Sequence, residues 1–537
     1  MEIINSGITK IKQCYEYFIK NEKDRLIVSI IATFIIGLFA HAYCFSNLSL
    51  SHDCLNEFFL FGPLTYYDYS IYELKIATGR FLIPVYDMIF RGKITLPWFA
   101  GMMSLFWLSL SVFMTCKIFN IRNKLEIVLI SAFYTTNISY IAEAGAFLHE
   151  IDVYAFGLLL SIISVYYWQK GKKYYPISAL FLFMATAIYQ AMLPVAIALI
   201  ILLSMFRLLN KDDYKNVLVD GLWSIAIIGF TFVLYMLVVK DICSITKIPL
   251  HQGHNSLNHI IDKSGQSKLQ LLIGMFTSFF EKLVIQPSIQ SKTSIMINQI
   301  AILCVEFFVI VMMLIKSDVQ KENKIMFVLL LIAMPFGMNL TYYGNNGAVH
   351  TLMCFSFWLT YLLILELVKW YYNEQSIKKI NPKYQLLKYL LVFLFVVMVF
   401  GNIKTANAVY LKKAFEYENT YSLMTRIAER IETTEGYIPG ETRVCIVGRL
   451  DFEKIEPFYD LYDLMGQQYV STVSSENFWA AYYKYILNRP INLVGWKERD
   501  DIADRPSVMD MPVYPDEFSI GWTDGDILVV KLNKIYF

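Results

Sequence analysis

The sequence predicts a polytopic α-helical membrane protein of about eleven transmembrane helices. Interfacial helices are expected in its outer loops, and a small α/β domain at its C-terminus, outside the cytoplasm. Three observations carry this expectation. Of the 537 residues, 56% are hydrophobic and 17% charged, with a mean hydropathy of +0.46, whereas a soluble domain carries roughly 25% charged residues. The apolar residues gather in blocks near the ~20 residues that cross a ~30 Å hydrocarbon core. Every second connection between those blocks is basic, the pattern left when Lys and Arg are retained on the cytoplasmic side.

The spans are expected near residues 25–46, 97–118, 126–142, 151–168, 174–190, 191–206, 218–239, 293–315, 325–342, 350–368 and 387–407, with the fifth and sixth parted at Tyr189-Gln190. The basic connections begin with Lys10, Lys12, Lys20, Lys23 and Arg25, and continue with Lys117, Arg122 and Lys124, then Lys170, Lys172 and Lys173. Arg207, Lys211 and Lys215 follow, then Lys316, Lys321 and Lys324, and finally Lys369, Lys378, Lys379, Lys383 and Lys388. This places the N-terminus in the cytoplasm, and an odd number of spans places the tail outside. The outer side then collects residues 47–96, 142–154, Tyr189-Gln190, 240–292, 341–350 and everything after about 410.

Residues 1–409 form the membrane domain and 410–537 the outer one. In the tail, "TRVCIVGRL" and "DGDILVVKLN" have the β-branched look of buried strands, and "ENFWAAYYKYIL" reads as an amphipathic helix. The net charge of +2 points to no nucleic-acid partner. The eight cysteines contain no CxxC pair, so zinc and thioredoxin-like chemistry are unsupported. Cys44, Cys54, Cys243 and Cys445 all fall near the outer side, where a disulfide among them is open. The first apolar segment is long enough to stay as an anchor, with no small-residue cleavage site after it.

The outer loops hold the chemistry-bearing residues. "SHDCLNEFF" sets Asp53 and Glu57 four apart, on one face if the stretch is helical, with Asn56 beside them. A carboxylate at the water–lipid boundary suits a general base, because partial desolvation raises its pKa; the alternative is a helix cap and a solvated acid. "ATGRFLIPVYDMIFRGK" suits a helix lying in the interface, and puts Arg80 where it can hold a lipid phosphate, or simply snorkel to headgroups. "AEAGAFLHEIDVY" offers Glu143, His149, Glu150 and Asp152; a divalent metal is the less favoured reading beside that of a polar loop. Gln190 is expensive at the end of an apolar hairpin unless it faces protein or ligand. "TYYGNNGAVH" brings Tyr342, Tyr343, Asn345, Asn346 and His350 together; rings beside amides suit a sugar, though an interfacial aromatic belt uses the same residues. His251, His254 and His259 lack metal-ligand spacing, and "SKLQLLIGMFTSFFEKLVI" reads as a second interfacial helix.

The order of these parts resembles the GT-C glycosyltransferases, and more narrowly the GtrII-type bacterial glucosyltransferases that modify O-antigen and related surface polysaccharides. The resemblance rests on "HDCLNEF", "TGRFLIP", "AFLHEIDVYAFGL", "IYQAMLP" and the tail's "MPVYPDEFSIGWTDGDILVVKL", and covers most of the chain. It implies transfer of a hexose, glucose in the narrower family, from a polyprenyl-phosphate carrier (undecaprenyl phosphate in bacteria) to a cell-surface glycan, on the outer face of the inner (plasma) membrane. In GT-C enzymes the first outer loop carries an acidic catalytic residue; Asp53 matches that position and Glu57 is its neighbour. Cys54 follows Asp53 where some members carry paired acids, which leaves the assignment between the two carboxylates open. Arg80 is expected to bind the donor phosphate, with Glu143, His149, Glu150, Tyr189, Gln190, Tyr343 and Asn345 at the sugar and acceptor. No cofactor is required, since phosphate is already a good leaving group.

Two rivals follow from the same residues. A transporter or flippase for lipid-linked glycans needs charged residues within spans, where only Glu306 and Glu366 stand out. A non-catalytic assembly protein would tolerate loss of Asp53.

Overall fold

The computed structural model describes residues 21–47, 50–51, 54–55, 70–92, 96–251, 267–289, 292–377, 383–450, 458, 461, 476–523 and 526–533. The chain opens with α1 (Glu22–Ser46), whose N-cap Asn21 accepts from the amide of Asp24. Two short helices follow, α2 (Ile71–Ala77) and α3 (Leu82–Phe90), and then α4 (Pro97–Ile118). Next come α5 (Lys124–Thr136), α6 (Ile138–Ala146), α7 (Ile151–Gln169), α8 (Tyr175–Ile188) and α9 (Leu193–Leu209). The long α10 (Tyr214–Thr246) precedes α11 (Lys268–Val284), α12 (Lys292–Lys316), α13 (Lys321–Met338) and the one-turn α14 (Leu340–Gly344). The bundle closes with α15 (Leu359–Ile377) and α16 (Lys383–Glu432).

The protein is membrane-embedded. Among the described residues seven helices are long and apolar enough to cross a bilayer, or eight if α5 and α6 form one bent span. A helix stands at each of the eleven expected places, but three fall short of that test. At 1.5 Å per residue the 14-residue α8 reaches only ~21 Å. α13 opens with Lys321, Glu322 and Lys324, and α15 carries Glu366 and Lys369. The bend of 42° between α5 and α6 has a local cause. Buried Asn137 donates to the carbonyls of Phe133 and Tyr134, and its Oδ1 accepts from the amide of Tyr140. One side chain therefore ends the first helix and starts the second.

Helix packing follows the small residues. A β-carbon on Gly37 would meet Leu105 at 2.4 Å and one on Gly101 would meet Phe45 at 2.3 Å. α1 and α4 approach closely because those positions carry none. The fifth and sixth expected spans part where the sequence indicated: Tyr189 is extended, its amide closing α8 on Ala185, and a turn over Gln190–Met192 leads into α9. The expected outer loop over 142–154 is mostly helical instead. Glu143 lies in α6 and Asp152 in the first turn of α7, leaving 147–150 as the turn between them.

Both segments expected to lie in the interface are helical. α3 leaves Val85, Met88 and Ile89 exposed. α11 begins with a capping box between Ser267 and Gln270 and buries Leu271, Met275, Phe279 and Leu283, one apolar row at four-residue spacing.

α16 runs for 50 residues, about 75 Å, well over the core thickness, and ends beside the tail. There Arg430 donates to the carbonyls of Pro515, Asp516 and Glu517. The tail's strands, β1 (Arg443–Val447), β2 (Asn492–Leu493), β3 (Ile520–Thr523) and β4 (Ile527–Lys531), form one sheet in the order β2-β1-β4-β3. β1 is parallel to β2 and β4, and β3 antiparallel to β4. Alternation divides the faces: Val444, Ile446, Leu528 and Val530 join the main core, while Cys445, Val447, Ile527 and Val529 pack with Ile502 and Val508. The two strands read from sequence are β1 and β4, and the helix expected between them spans Glu476–Ala481 with a wider turn over Tyr482–Ile486.

Candidate active site

Arg80 is delivered by the way α2 ends. The amide of Gly79 donates to Ile76 at 2.9 Å and that of Arg80 to Lys75 at 2.7 Å, a Schellman motif that requires the left-handed conformation at Gly79, where φ is +79°. The turn is pinned from α10 and the α8–α9 break. Tyr235 Oη donates to Gly79 O at 3.1 Å, and Gln190 Nε2 donates to Thr78 O at 2.9 Å and to Tyr235 Oη at 2.7 Å. Gln190 therefore faces protein, which answers its cost.

The Arg80 guanidinium lies over the Tyr189 ring, 4.8 Å from its centroid, and Tyr189 stacks on Tyr154 at 4.8 Å. Nη1 donates to Tyr154 Oη at 3.4 Å, while Nε is buried without a hydrogen-bond partner. Among the described residues Arg80 makes no ion pair. Burial works against its charge, but the oxygens of Tyr154, Tyr189 and Glu150 outweigh that and raise its pKa.

Behind Arg80 stands a network of charge. Tyr154 Oη donates to Glu150, whose other oxygen pairs with Lys75 at 2.7 Å. Burial pushes the Glu150 carboxyl up, yet Lys75, His149 and Arg80 together hold it well below the usual carboxylate range. His149 Nδ1 is 3.1 Å from Cys54 Sγ and its Nε2 is 4.0 Å from Glu150. Burial opposes the Cys54 thiolate, but His149, Lys413 and Ser51 prevail and bring the thiol down to about 6. Arg91 donates to Asp87 and to the His149 carbonyl, and its Nε forms an ion pair with Asp152 at 3.2 Å. Glu143 is buried with one carboxylate oxygen lacking a hydrogen bond.

Arg80, Tyr189 and Gln190 form the polar end of a cavity of about 330 Å³. Leu193 and Pro194 of α9, Ile228 and Phe232 of α10, Leu340 of α14 and Met353 make the rest mostly apolar. Tyr343 and Asn345 line it too. Five of the residues singled out in the sequence thus meet at one cavity. Glu143, His149 and Glu150 lie in the layer behind it. Asp53 and Glu57 lie outside the described residues, as do His254 and His259. The described flanks of Asp53 are held down: Ser51 Oγ donates to Ala146 O at 2.5 Å, and Cys54 contacts His149.

The metal reading of Glu143, His149, Glu150 and Asp152 finds no support in the geometry. Among the described residues no three His, Cys, Asp or Glu side chains converge on one point; Lys75 and Arg91 occupy Glu150 and Asp152. Nor does a disulfide join the outer cysteines: Cys44, Cys54, Cys243 and Cys445 are free thiols. Sequence reasoning missed Lys75, Tyr154 and Tyr235, and saw Cys54 only as a disulfide candidate. Lys75 belongs to the same loop as Arg80, but nothing local marks its partner 75 positions on.

A cation with no ion pair among the described residues, in the wall of a mostly apolar cavity, suits a ligand that is anionic at its head and hydrocarbon behind it. Comparison with known proteins bears on what that ligand serves. No curated protein and no solved structure matches the chain. The family model described as Glucosyl transferase GtrII matches residues 57–361, which include Arg80, the Glu150 network and the cavity. The chain belongs to the GtrII glucosyltransferase family and is a glycosyltransferase.

Proposed function

We propose that the protein transfers a hexose, glucose by family, from a polyprenyl-phosphate carrier to a hydroxyl of a cell-surface glycan such as an O-antigen. The observation that carries this reading is Arg80: a cation with no ion pair among the described residues, set in the wall of a mostly apolar cavity. A nucleotide-sugar donor would ask for polar contacts around a base and ribose. A polyprenyl phosphate asks for one anchored cation and a hydrocarbon lining.

In this reading Arg80 holds the phosphate and stabilises the charge it gains on departure. The acceptor oxygen forms a bond to the anomeric carbon as the bond from that carbon to the phosphate oxygen breaks. The acceptor proton passes to a carboxylate, Asp53 or its neighbour Glu57, and polyprenyl phosphate leaves with the bonding electrons. Glu150 sets the field around the sugar, with Glu143 and His149 beside it, and the oxocarbenium-like transition state favours nearby negative charge. Tyr343 and Asn345 supply a ring and an amide to its hydroxyls. No cofactor or metal is needed, because the leaving group is already stabilised.

The basic connections support a topology of eleven spans in the inner membrane, with the N-terminus cytoplasmic and the tail outside. The donor's sugar then meets the glycan on the outer face. The test supplies radiolabelled polyprenyl-phosphate glucose or UDP-glucose to membranes containing the protein and a glycan acceptor. Label reaches the glycan from the lipid donor alone. Transfer directly from UDP-glucose, with no lipid intermediate, would overturn the reading.

A further inference from the structure

The segment after α14 separates two cavities. Met353 lines the one that contains Arg80, while its chain neighbours Thr351 and Cys354 line a second, of about 260 Å³. Between those lining residues the chain winds through short turns over Thr351–Met353 and Phe355–Trp358.

The second cavity is lined differently from the first. Phe357 and Trp358 contribute rings, Gln286 and Thr351 neutral polar groups, and Glu281, Lys282 and Lys292 charged ones. Trp358 Nε1 is engaged by Ser139 Oγ at 3.4 Å, and Phe357 packs on Phe279, so the rings are fixed and offer the cavity their carbon surfaces. Gln286 is buried, with its amide nitrogen donating to Leu283 O at 3.0 Å. A hydrocarbon chain would leave these polar groups unmatched, and a small anion would leave the ring faces uncovered. A sugar ring satisfies both kinds of surface: carbon faces against the aromatics, hydroxyls toward the amide, hydroxyl and charges.

We propose that this second cavity is the subsite for a hexose unit of the acceptor glycan, held across the 351–354 wall from the donor phosphate. The inference rests on the glycosyl-transfer reading above and adds to it the place where the acceptor binds. It also gives α11 a role, since Glu281 and Lys282 come from its last turn.

The test uses the full-length protein in lipid nanodiscs. The acceptor probe is deacylated surface polysaccharide extracted from source cells lacking this chain, and the donor is radiolabelled polyprenyl-phosphate glucose. Three quantities are read: polysaccharide binding, the acceptor KM, and hydrolysis of donor to free glucose without acceptor. Thr351→Phe, which fills the cavity, loses polysaccharide binding and transfer while donor hydrolysis continues. Lys282→Ala raises the acceptor KM about tenfold, the loss of one charge-assisted hydrogen bond, and leaves the donor KM unchanged. Polysaccharide binding by Thr351→Phe at wild-type affinity overturns the inference, as does loss of donor hydrolysis along with binding. Absence of polysaccharide binding by the wild type overturns it as well. Should the wild type bind polysaccharide in a Thr351-dependent way but release no glucose from this donor, the acceptor subsite stands and the donor reading fails.

Discussion

Replacing Gly79 by alanine perturbs the turn that carries the cation into the cavity. At φ +79° a β-carbon costs about 1–2 kcal/mol. The variant can keep the turn and bear that strain, or move to negative φ and give up two hydrogen bonds, Arg80 N to Lys75 O and Tyr235 Oη to Gly79 O. At about 0.5–1.5 kcal/mol each those bonds sum to much the same amount as the strain, so the relaxed turn becomes substantially populated. In it Arg80 leaves its seat on Tyr189. A misplacement of about 1 Å in a positioning group costs on the order of 10²-fold in rate, which sets the expected fall in glucose transfer at about 10- to 100-fold. Asparagine enters the left-handed region more readily, so Gly79→Asn retains more activity than Gly79→Ala. The assay is the initial rate of transfer from polyprenyl-phosphate glucose in membranes, normalised to inserted protein. Wild-type rates for Gly79→Ala beside an inactive Arg80→Ala would refute the argument that this turn positions the cation.

Other substitutions separate ring from hydroxyl and charge from packing. Among the described residues Tyr189 Oη is buried with no hydrogen-bond partner, so Tyr189→Phe keeps wild-type donor KM, whereas Tyr189→Ala raises it roughly 3- to 30-fold through loss of a contact worth about 0.5–2 kcal/mol. Gln190→Ala strips partners from Thr78 O and Tyr235 and lowers stability by about 1–3 kcal/mol, read as an earlier thermal transition of the purified protein. The Cys54 thiol is depressed from its ordinary value of 9.0 to about 6 in the folded protein. A depressed acid adds stability that is present in full above its unfolded pKa and is lost as pH falls through the folded one. Between pH 9 and pH 5.5 the thermal midpoint of the wild type therefore drops further than that of Cys54→Ser; parallel profiles would contradict the Cys54–His149 pairing.

What sequence could reveal here follows the range of the interactions. The helices at the expected spans, the break at Tyr189-Gln190, α3, α11, β1 and β4 were all legible, because each is set by hydropathy, period and turn residues within its own stretch. Arg80, Tyr189, Gln190, Tyr343 and Asn345 were legible as polar groups that a membrane chain does not place idly, and they line one cavity. Less visible was how helical the 142–154 stretch is, since Gly145 and three acids look like a loop until α6 is seen to bury Glu143. The Lys75–Glu150 pair and the Cys54–His149 contact left no local trace, because their partners are 75 and 95 residues apart in the chain. Pairing of that kind is decided by packing, which assembles α2 and the turn before α7 only in the finished fold. For the same reason the acids of 143–152 were seen, but not the Lys75 and Arg91 that pair with Glu150 and Asp152.

The account depends most on Arg80 as the anchor of a lipid-borne phosphate. The direct measurement is the donor KM and kcat for polyprenyl-phosphate glucose in wild type, Arg80→Lys and Arg80→Ala, each at matched levels in membranes. Truncating a buried, hydrogen-bonded charge against its partner costs about 2–5 kcal/mol, so Arg80→Ala is expected to lose at least ~30-fold in kcat/KM. Arg80→Lys keeps the charge but not the fork that sits on Tyr189, and falls between the two. Kinetics for Arg80→Ala equal to the wild type would contradict the central claim, and would leave the cavity without its proposed ligand.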